Sequence, residues 1–250
     1  MPQYGMVIDL LKCAGCGACG LACKTENNTA DRKDGQSHNW ADYLIEVKGT
    51  YPNVTYTNYP VLCNHCSNAP CVDACPVEPK AMYKTADGIT MHNDERCIGC
   101  LACQDACPYS VEDLDSSDAQ YSVISYNEEG NKPHERYRDD SRLYAGTASG
   151  SDVAAAAGAI PPHQTAYRHP DYEAVRRAGI VEKCIFCDHR IKNGLLPYCV
   201  EACPSEARVF GDLDDPNSDI AKLLKAHRSI RLKEEEGTEP NVYYINRFKA

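Results

Sequence analysis

No stretch of this chain is long and apolar enough to cross a membrane. Its longest apolar runs, such as Val153 to Ile160, extend about 8 residues, where a helical span needs roughly 20. The opening MPQYGMVIDLLKC lacks a basic segment followed by an apolar one, so no signal peptide is expected there. A cytoplasmic location fits that opening, and so does a periplasmic one reached by co-export with a signal-bearing partner. Positive charge is also scarce. Lys and Arg number 26 against 36 Asp and Glu, a formal net charge of -10, which disfavours nucleic acid as a partner. Nor does the chain lack room for a core. At 250 residues it is longer than the small secreted modules that rely on a disulfide framework.

Cysteine is what the chain has in excess. Its 16 cysteines fall into four groups of four with none left over. The first is Cys13, Cys16, Cys19 and Cys23; the second is Cys63, Cys66, Cys71 and Cys75. The third is Cys97, Cys100, Cys103 and Cys107; the fourth is Cys184, Cys187, Cys199 and Cys203. This is an internal repeat with variable spacing. Pro76, Pro108 and Pro204 follow the last cysteine of three groups and would redirect the chain; Lys24 stands there in the first.

Groups one and three read C-x2-C-x2-C-x3-C, the spacing of bacterial ferredoxins. A tight loop can present three thiolates to three corners of one cubane but cannot wrap round to the fourth. The fourth cysteine then points at another cluster, so groups should work in pairs. Group two relaxes one gap between Cys66 and Cys71, and group four places DHRIKNGLLPY between Cys187 and Cys199. Loop closure costs grow slowly with length, so a third ligand can still return. Gly15, Gly17, Gly20 and Gly99 suit loops whose backbone passes close to sulfur. Structural zinc is the competing reading, but the C-x2-C-x2-C triples leave one thiolate without a role in a site built from two pairs. The donor set therefore predicts four [4Fe–4S] clusters held by all sixteen thiols.

Around these groups the expected fold is α+β, with short strands leading into and out of each cysteine loop. Tyr4 to Leu10, Ile89 to Met91, Val123 to Tyr126 and Ala207 to Phe210 read as strands. A helix is expected after Asn217 or Ser218, with Ile220, Leu223, Leu224 and His227 at helical spacing. Val242 to Ile245 reads as an edge strand. Residues 26–60 carry no cysteine but hold Trp40, Tyr43, Tyr51, Tyr56 and Tyr59, for which packing is expected. Two ferredoxin-like units follow: residues 1–60 with 181–250, containing groups one and four and a C-terminal extension, and residues 61–126, containing groups two and three. Residues 127–180 read as a long insertion covering the domain or a partner.

Four stretches carry a family resemblance: MVIDLLKCAGCGACGLACKTENNT, LCNHCSNAPCVDACP, CIGCLACQDACPYSV and EKCIFCDHRIKNGLLPYCVEACPSEARVFGDLDDP. They resemble the iron–sulfur (beta) subunit of the molybdopterin oxidoreductases related to dimethyl sulfoxide reductase. KTENNT and SEARVFGDLDDP most resemble the small subunit of respiratory arsenate reductase. The resemblance implies a non-catalytic electron-transfer subunit in an anaerobic respiratory heterodimer. Its large partner would carry a molybdenum or tungsten bis-pterin, and a quinol-linked membrane subunit or a cytochrome would serve the other end. It also implies which groups pair. Cys13, Cys16, Cys19 and Cys203 would hold the cluster nearest the molybdenum subunit, and Cys184, Cys187, Cys199 and Cys23 its neighbour. Cys63, Cys66, Cys71 and Cys107 would hold a third, and Cys97, Cys100, Cys103 and Cys75 the fourth. The same role in a polysulfide, thiosulfate or tetrathionate reductase, or as a free-standing polyferredoxin, stands as an alternative.

Lys24, Lys183 and Arg190 lie beside or near ligands and are candidates to raise a cluster potential, with solvated surface charge as the alternative reading. His65, His189 and Tyr109 are expected to pack rather than to ligate.

Overall fold

The apolar run at the N-terminus forms strand β1 (Tyr4–Asp9), which is buried along most of its length. It is the centre of a four-stranded sheet ordered β8-β1-β10-β9, with β8 at Arg208–Asp212, β9 at Ser229–Ile230 and β10 at Val242–Ile245. The computed structural model describes residues 1–27, 29–30, 32–128 and 178–246, together with 146, 148, 149, 152 and 156.

β1 pairs antiparallel with β8, Ile8 facing Arg208, and parallel with β10, Met6 facing Val242. This corrects the expectation that Val242 to Ile245 is an edge strand. β10 lies inside the sheet because Val242, Tyr244 and Ile245 are fully buried and its second side is covered by β9. The sheet edges fall to β8 and β9 instead. Against β1 and β8 packs a helix over Asp219–Ala226, α6 in chain order. Ser218 caps it, its hydroxyl accepting from the Ala221 N–H at 3.1 Å. Ile220 is buried beside Val7 and Ile245, with Leu223 and Leu224 packed over them.

The cysteine-free stretch before group two forms a long hairpin, β2 (Ala41–Thr50) and β3 (Asn53–Leu62), paired over its full length. Its base is in the core, where Trp40, Ala41, Val61 and Leu62 are buried, while Val47, Val54 and Tyr56 at the far end are exposed. Two shorter hairpins complete the strands. β4 (Met82–Lys84) pairs with β5 (Thr90–His92), and β6 (Ser125–Asn127) pairs with β7 (Ile180–Glu182). The second brings the two ends of the 127–180 stretch side by side, with the Gly179 N–H donating to the Asn127 carbonyl at 2.7 Å. The rest of that stretch, and with it the expected insertion over the domain or a partner, lies outside the described residues.

Five further helices are short turns apart from the first: α1 (Ala18–Asn27), α2 (Pro70–Asp73), α3 (Ala102–Ala106), α4 (Asp188–Ile191) and α5 (Tyr198–Glu201). One apolar core runs through them and the sheet, and cysteines make up ten of its buried members. A buried carboxylate ties β7 to the base of the hairpin. Glu182 accepts from the Trp40 indole at 3.1 Å and from the Asn127 amide at 2.9 Å.

Candidate metal centres

The four cysteine groups adopt one local plan. In each, the first two cysteines lie in a loop and the third is the second residue of a helix: Cys19 in α1, Cys71 in α2, Cys103 in α3 and Cys199 in α5. The fourth follows one turn later, as Cys23, Cys75, Cys107 and Cys203, and so leaves the loop in a new direction. The N–H donors of these loops turn inward to the sulfurs. His65 N–H lies 3.5 Å from Cys63 Sγ, Gly99 N–H 3.4 Å from Cys97 Sγ, Phe186 N–H 3.4 Å from Cys184 Sγ and Ala207 N–H 3.3 Å from Cys203 Sγ.

Three small cavities are each lined by four cysteines drawn from two groups. One gathers Cys13, Cys16 and Cys19 with Cys203. The next gathers Cys63, Cys66 and Cys71 with Cys107, and the third Cys97, Cys100 and Cys103 with Cys75. The remaining four are mutual neighbours: the thiols acting on Cys23 are those of Cys187, Cys184 and Cys199. The Asn27 amide stands between two of them, 3.5 Å from Cys23 Sγ and 3.7 Å from Cys187 Sγ. All sixteen cysteines are free thiols. Among the described residues no three His, Cys, Asp or Glu side chains converge tightly enough to hold a single ion, which is the geometry zinc requires. Four thiols around a void with otherwise mainly apolar walls suit a larger inorganic core.

Burial dominates the chemistry of these thiols. It pushes Cys66 up to about 11, Cys103 up to about 12 and Cys187 up to about 12, in each case helped by neighbouring thiols. Cys23 and Cys184 are raised well above the usual thiol range by the same causes. Without a bound cation these ligands are therefore held neutral. Two thiols move the other way. Burial raises Cys97, but hydrogen bonding and charge from His92 outweigh it; His92 is itself held up by Asp94, 3.0 Å away. Burial also raises Cys203, but N–H donors led by Ala207, with the Ser205 hydroxyl, bring it down.

The cations near the ligands fall into two kinds. Lys24 donates to the Ala30 carbonyl at 2.6 Å, and Arg190 pairs with Glu26 and Glu201, so its charge is compensated locally. Lys183 is fully buried, lines the Cys63 cavity, and donates to the carbonyls of Thr90 and Cys184. His65 and His189 serve packing and hydrogen bonding. The His65 ring stacks on Phe186 with centroids 3.6 Å apart and accepts from the Thr90 N–H, while His189 Nε2 lies 2.6 Å from Glu26. Tyr109 donates to the Leu232 carbonyl at 3.0 Å. Sequence reading expected packing of Tyr43, whose hydroxyl is 2.8 Å from Cys19 Sγ, and passed over Arg208, Asn27 and the His92–Asp94 pair. A distance to a ligand of less than five residues could have flagged Asn27, four after Cys23, and Asp94, three before Cys97.

Two glycines make a direct test of how closely the loops are packed. Gly17 and Gly99 both hold a positive φ, 81° and 67°. A Cβ at Gly17 meets open space, whereas one at Gly99 would lie 2.1 Å from the Gly179 carbonyl at the entry to β7. Gly17→Ala is expected to cost only the left-handed backbone penalty, about 1–2 kcal/mol. Gly99→Ala must also displace Gly179, so thermal unfolding should show a larger drop in Tm and iron should be lost from the Cys97 loop first. Equal Tm values for the two variants would contradict this packing.

Comparison with known proteins follows the same lines. The profile of the 4Fe-4S dicluster domain matches residues 54–127 and 162–213. The chain is 48% identical over 248 residues to the arsenate respiratory reductase iron-sulfur subunit ArrB of Shewanella sp. strain ANA-3, covering 98% of this chain and 97% of that one. It is 34% identical over 249 residues to a selenate reductase subunit of Mesobacillus selenatarsenatis, covering 97% and 72% respectively. It is also 34% identical over 245 residues to a tetrathionate reductase subunit of Salmonella typhimurium, with the same coverages.

Proposed function

This chain belongs to the 4Fe-4S dicluster family of reductase iron–sulfur subunits, and from that premise we propose that it relays single electrons through four [4Fe–4S] clusters to or from a molybdopterin catalytic subunit of an arsenate reductase-like enzyme. Identity of 48% that runs through both chains almost end to end is the observation that carries the reading. The ligand sets we assign are Cys13, Cys16, Cys19 and Cys203; Cys23, Cys184, Cys187 and Cys199; Cys63, Cys66, Cys71 and Cys107; and Cys75, Cys97, Cys100 and Cys103. Their support is the four-cysteine lining of three cavities and the mutual contacts of the remaining four thiols.

When bound, each cubane takes up or gives back one electron at a time, with a potential set by its surroundings. The chain's own residues do the rest. Thiolates hold the iron, inward N–H groups offset the charge on sulfur, and apolar walls formed by Val77, Met82, Leu101 and Val181 keep water from the Cys97 set. Only two cysteines are exposed, Cys16 and Cys100, and they belong to different sets. Exposed Leu11 and Leu21 stand near the first in sequence and Ile98 beside the second. Such apolar positions at two separate ligands suit a relay with an entry and an exit, one end facing the large catalytic subunit and the other a quinol-linked membrane subunit or a cytochrome. Among the described residues no helix is long and apolar enough to cross a membrane.

Anaerobic purification from the native source tests the assignment. A large pterin-containing chain should co-purify, with about sixteen iron atoms and as many acid-labile sulfides per copy of this chain. Arsenate should reoxidise the dithionite-reduced complex faster than selenate or tetrathionate. Recovery of this chain as a free soluble carrier would overturn the subunit role, and preference for another oxyanion would overturn the arsenate assignment.

A further inference from the structure

Arg208 is an anomaly in this core. It opens β8, faces Ile8 of β1, and is only 3% exposed. Arginine is among the residues least often buried without a partner. Here no carboxylate among the described residues pairs with it. Its Nη1 lies 3.7 Å from the thioether sulfur of Met6, a weak acceptor, and its Nη2 has no hydrogen-bond partner. A permanently charged group in this position requires negative charge from somewhere.

Its surroundings name the source. The side chain lines the cavity of Cys13, Cys16, Cys19 and Cys203. The side chain also hydrogen-bonds the Cys199 thiol, and the charges that act on it most among the thiols are those of Cys199 and then Cys19, of two different ligand sets. Arg208 therefore stands between the two sets at the sheet end of the molecule. Four thiolates around an oxidised cubane carry a net charge of about -2, and one added electron takes this to about -3. A fixed cation beside the site favours the more negative form.

We propose that Arg208 is a positioning charge that raises the reduction potentials of two clusters together, those of the Cys13–Cys16–Cys19–Cys203 and Cys23–Cys184–Cys187–Cys199 sets. This rests on the reading that those sets hold clusters. The consequence is a bias: an electron on either of these two clusters is stabilised relative to the same cluster without the cation. Lys183 lines the Cys63 cavity and also donates to the Cys184 carbonyl, so Arg208 is the buried cation at the Cys13 set while Lys183 adds a second charge near Cys184.

The test is an EPR-monitored redox titration of the purified holo complex. The Cys203→Ser and Cys184→Ser variants identify the signals of the two sets. In Arg208→Gln, at a fixed poised potential, the reduced-to-oxidised ratio at those two clusters should fall about tenfold, which for one-electron couples is about 59 mV. The other two should stay within twofold of wild type. Arg208→Lys, which keeps the charge but not the fork, should restore most of the ratio. Unchanged ratios in Arg208→Gln, or equal shifts at all four clusters, would overturn the proposal.

Should Arg208→Gln fail to retain its iron, Arg208→Met and Arg208→Lys decide the matter. Loss of iron in the methionine variant with full loading and near-normal ratios in the lysine variant supports a charge requirement. Loss in both makes the residue structural and sinks the proposal. Wild-type protein with fewer than about sixteen iron atoms would instead overturn the four-cluster reading itself.

Discussion

Cys203→Ser should remove the cluster bound by Cys13, Cys16 and Cys19, and leave the set of Cys184 and Cys187 intact. In sequence Cys203 is the last member of group four, but its thiol lines the cavity of group one. It is also better prepared to bind as thiolate than its neighbours, since donors led by the Ala207 N–H, at 3.3 Å, outweigh its burial. Serine keeps the shape and the hydrogen bonds but offers a hard oxygen where the iron of a cluster favours soft sulfur. Iron should fall from about sixteen toward about twelve per chain. The missing EPR signal should be the one that Cys13→Ser also removes. Electron delivery through the exposed Cys16 end should fall with it, while reduction of the remaining clusters by dithionite persists. If Cys203→Ser instead erased the signal that Cys184→Ser erases, the crosswise assignment would be wrong.

Much of this architecture was legible in the sequence because cysteine spacing is local information. The C-x2-C-x2-C-x3-C runs announce loops that turn into helices, and Cys19 and Cys103 begin such helices. The apolar runs before and after them appear as β1, β5, β6 and β8, and Ser218 caps the expected helix. What was illegible depends on distant parts of the chain. Val242 to Ile245 follows a polar stretch and reads as an edge, yet it is interior because β1 pairs with it from the opposite end of the sequence. The β2–β3 hairpin was missed because its outer half is exposed and neither strand alternates between buried and open positions.

Arg208 shows why charge is the hardest feature to place from sequence. Nothing in SEARVF marks its arginine as a buried residue. It is buried because β8 pairs with β1 and turns its first side chain onto a wall of thiols. The converse holds for Arg190. It lies three residues from a ligand and reads as a tuning charge, but Glu26 and Glu201 compensate it. Proximity in sequence picks out Arg190, whose charge is compensated. Burial and the absence of a carboxylate identify the other.

Removing the iron should cost this protein its fold rather than only its activity. Ten cysteines stand among the buried members of the main core, and the helices that carry Cys71, Cys103 and Cys199 are only four or five residues long. Turns of that length have little stability of their own. The apolar cluster that does not involve cysteine is small, with Val7, Ile220 and Ile245 at its centre. A typical domain is stable by about 5–15 kcal/mol, and structural zinc in zinc-finger peptides supplies about 10–16 kcal/mol, which sets the scale expected for a site of four thiolates. The binding energy of four clusters is therefore of the size of the whole folding free energy or larger. For a chain of this length each 1 kcal/mol moves Tm by about 2–4 °C, so loss of even one site's contribution should lower Tm by about 20 °C or more. Chelation under anaerobic conditions should abolish the cooperative transition. Amide exchange should become fast in the 63–75, 97–107 and 184–203 loops, with the β1–β8–β10–β9 sheet and α6 the last to lose protection. An iron-free chain that unfolded cooperatively within a few degrees of the loaded protein would mean that ordinary packing, not thiolate ligation, holds these loops together.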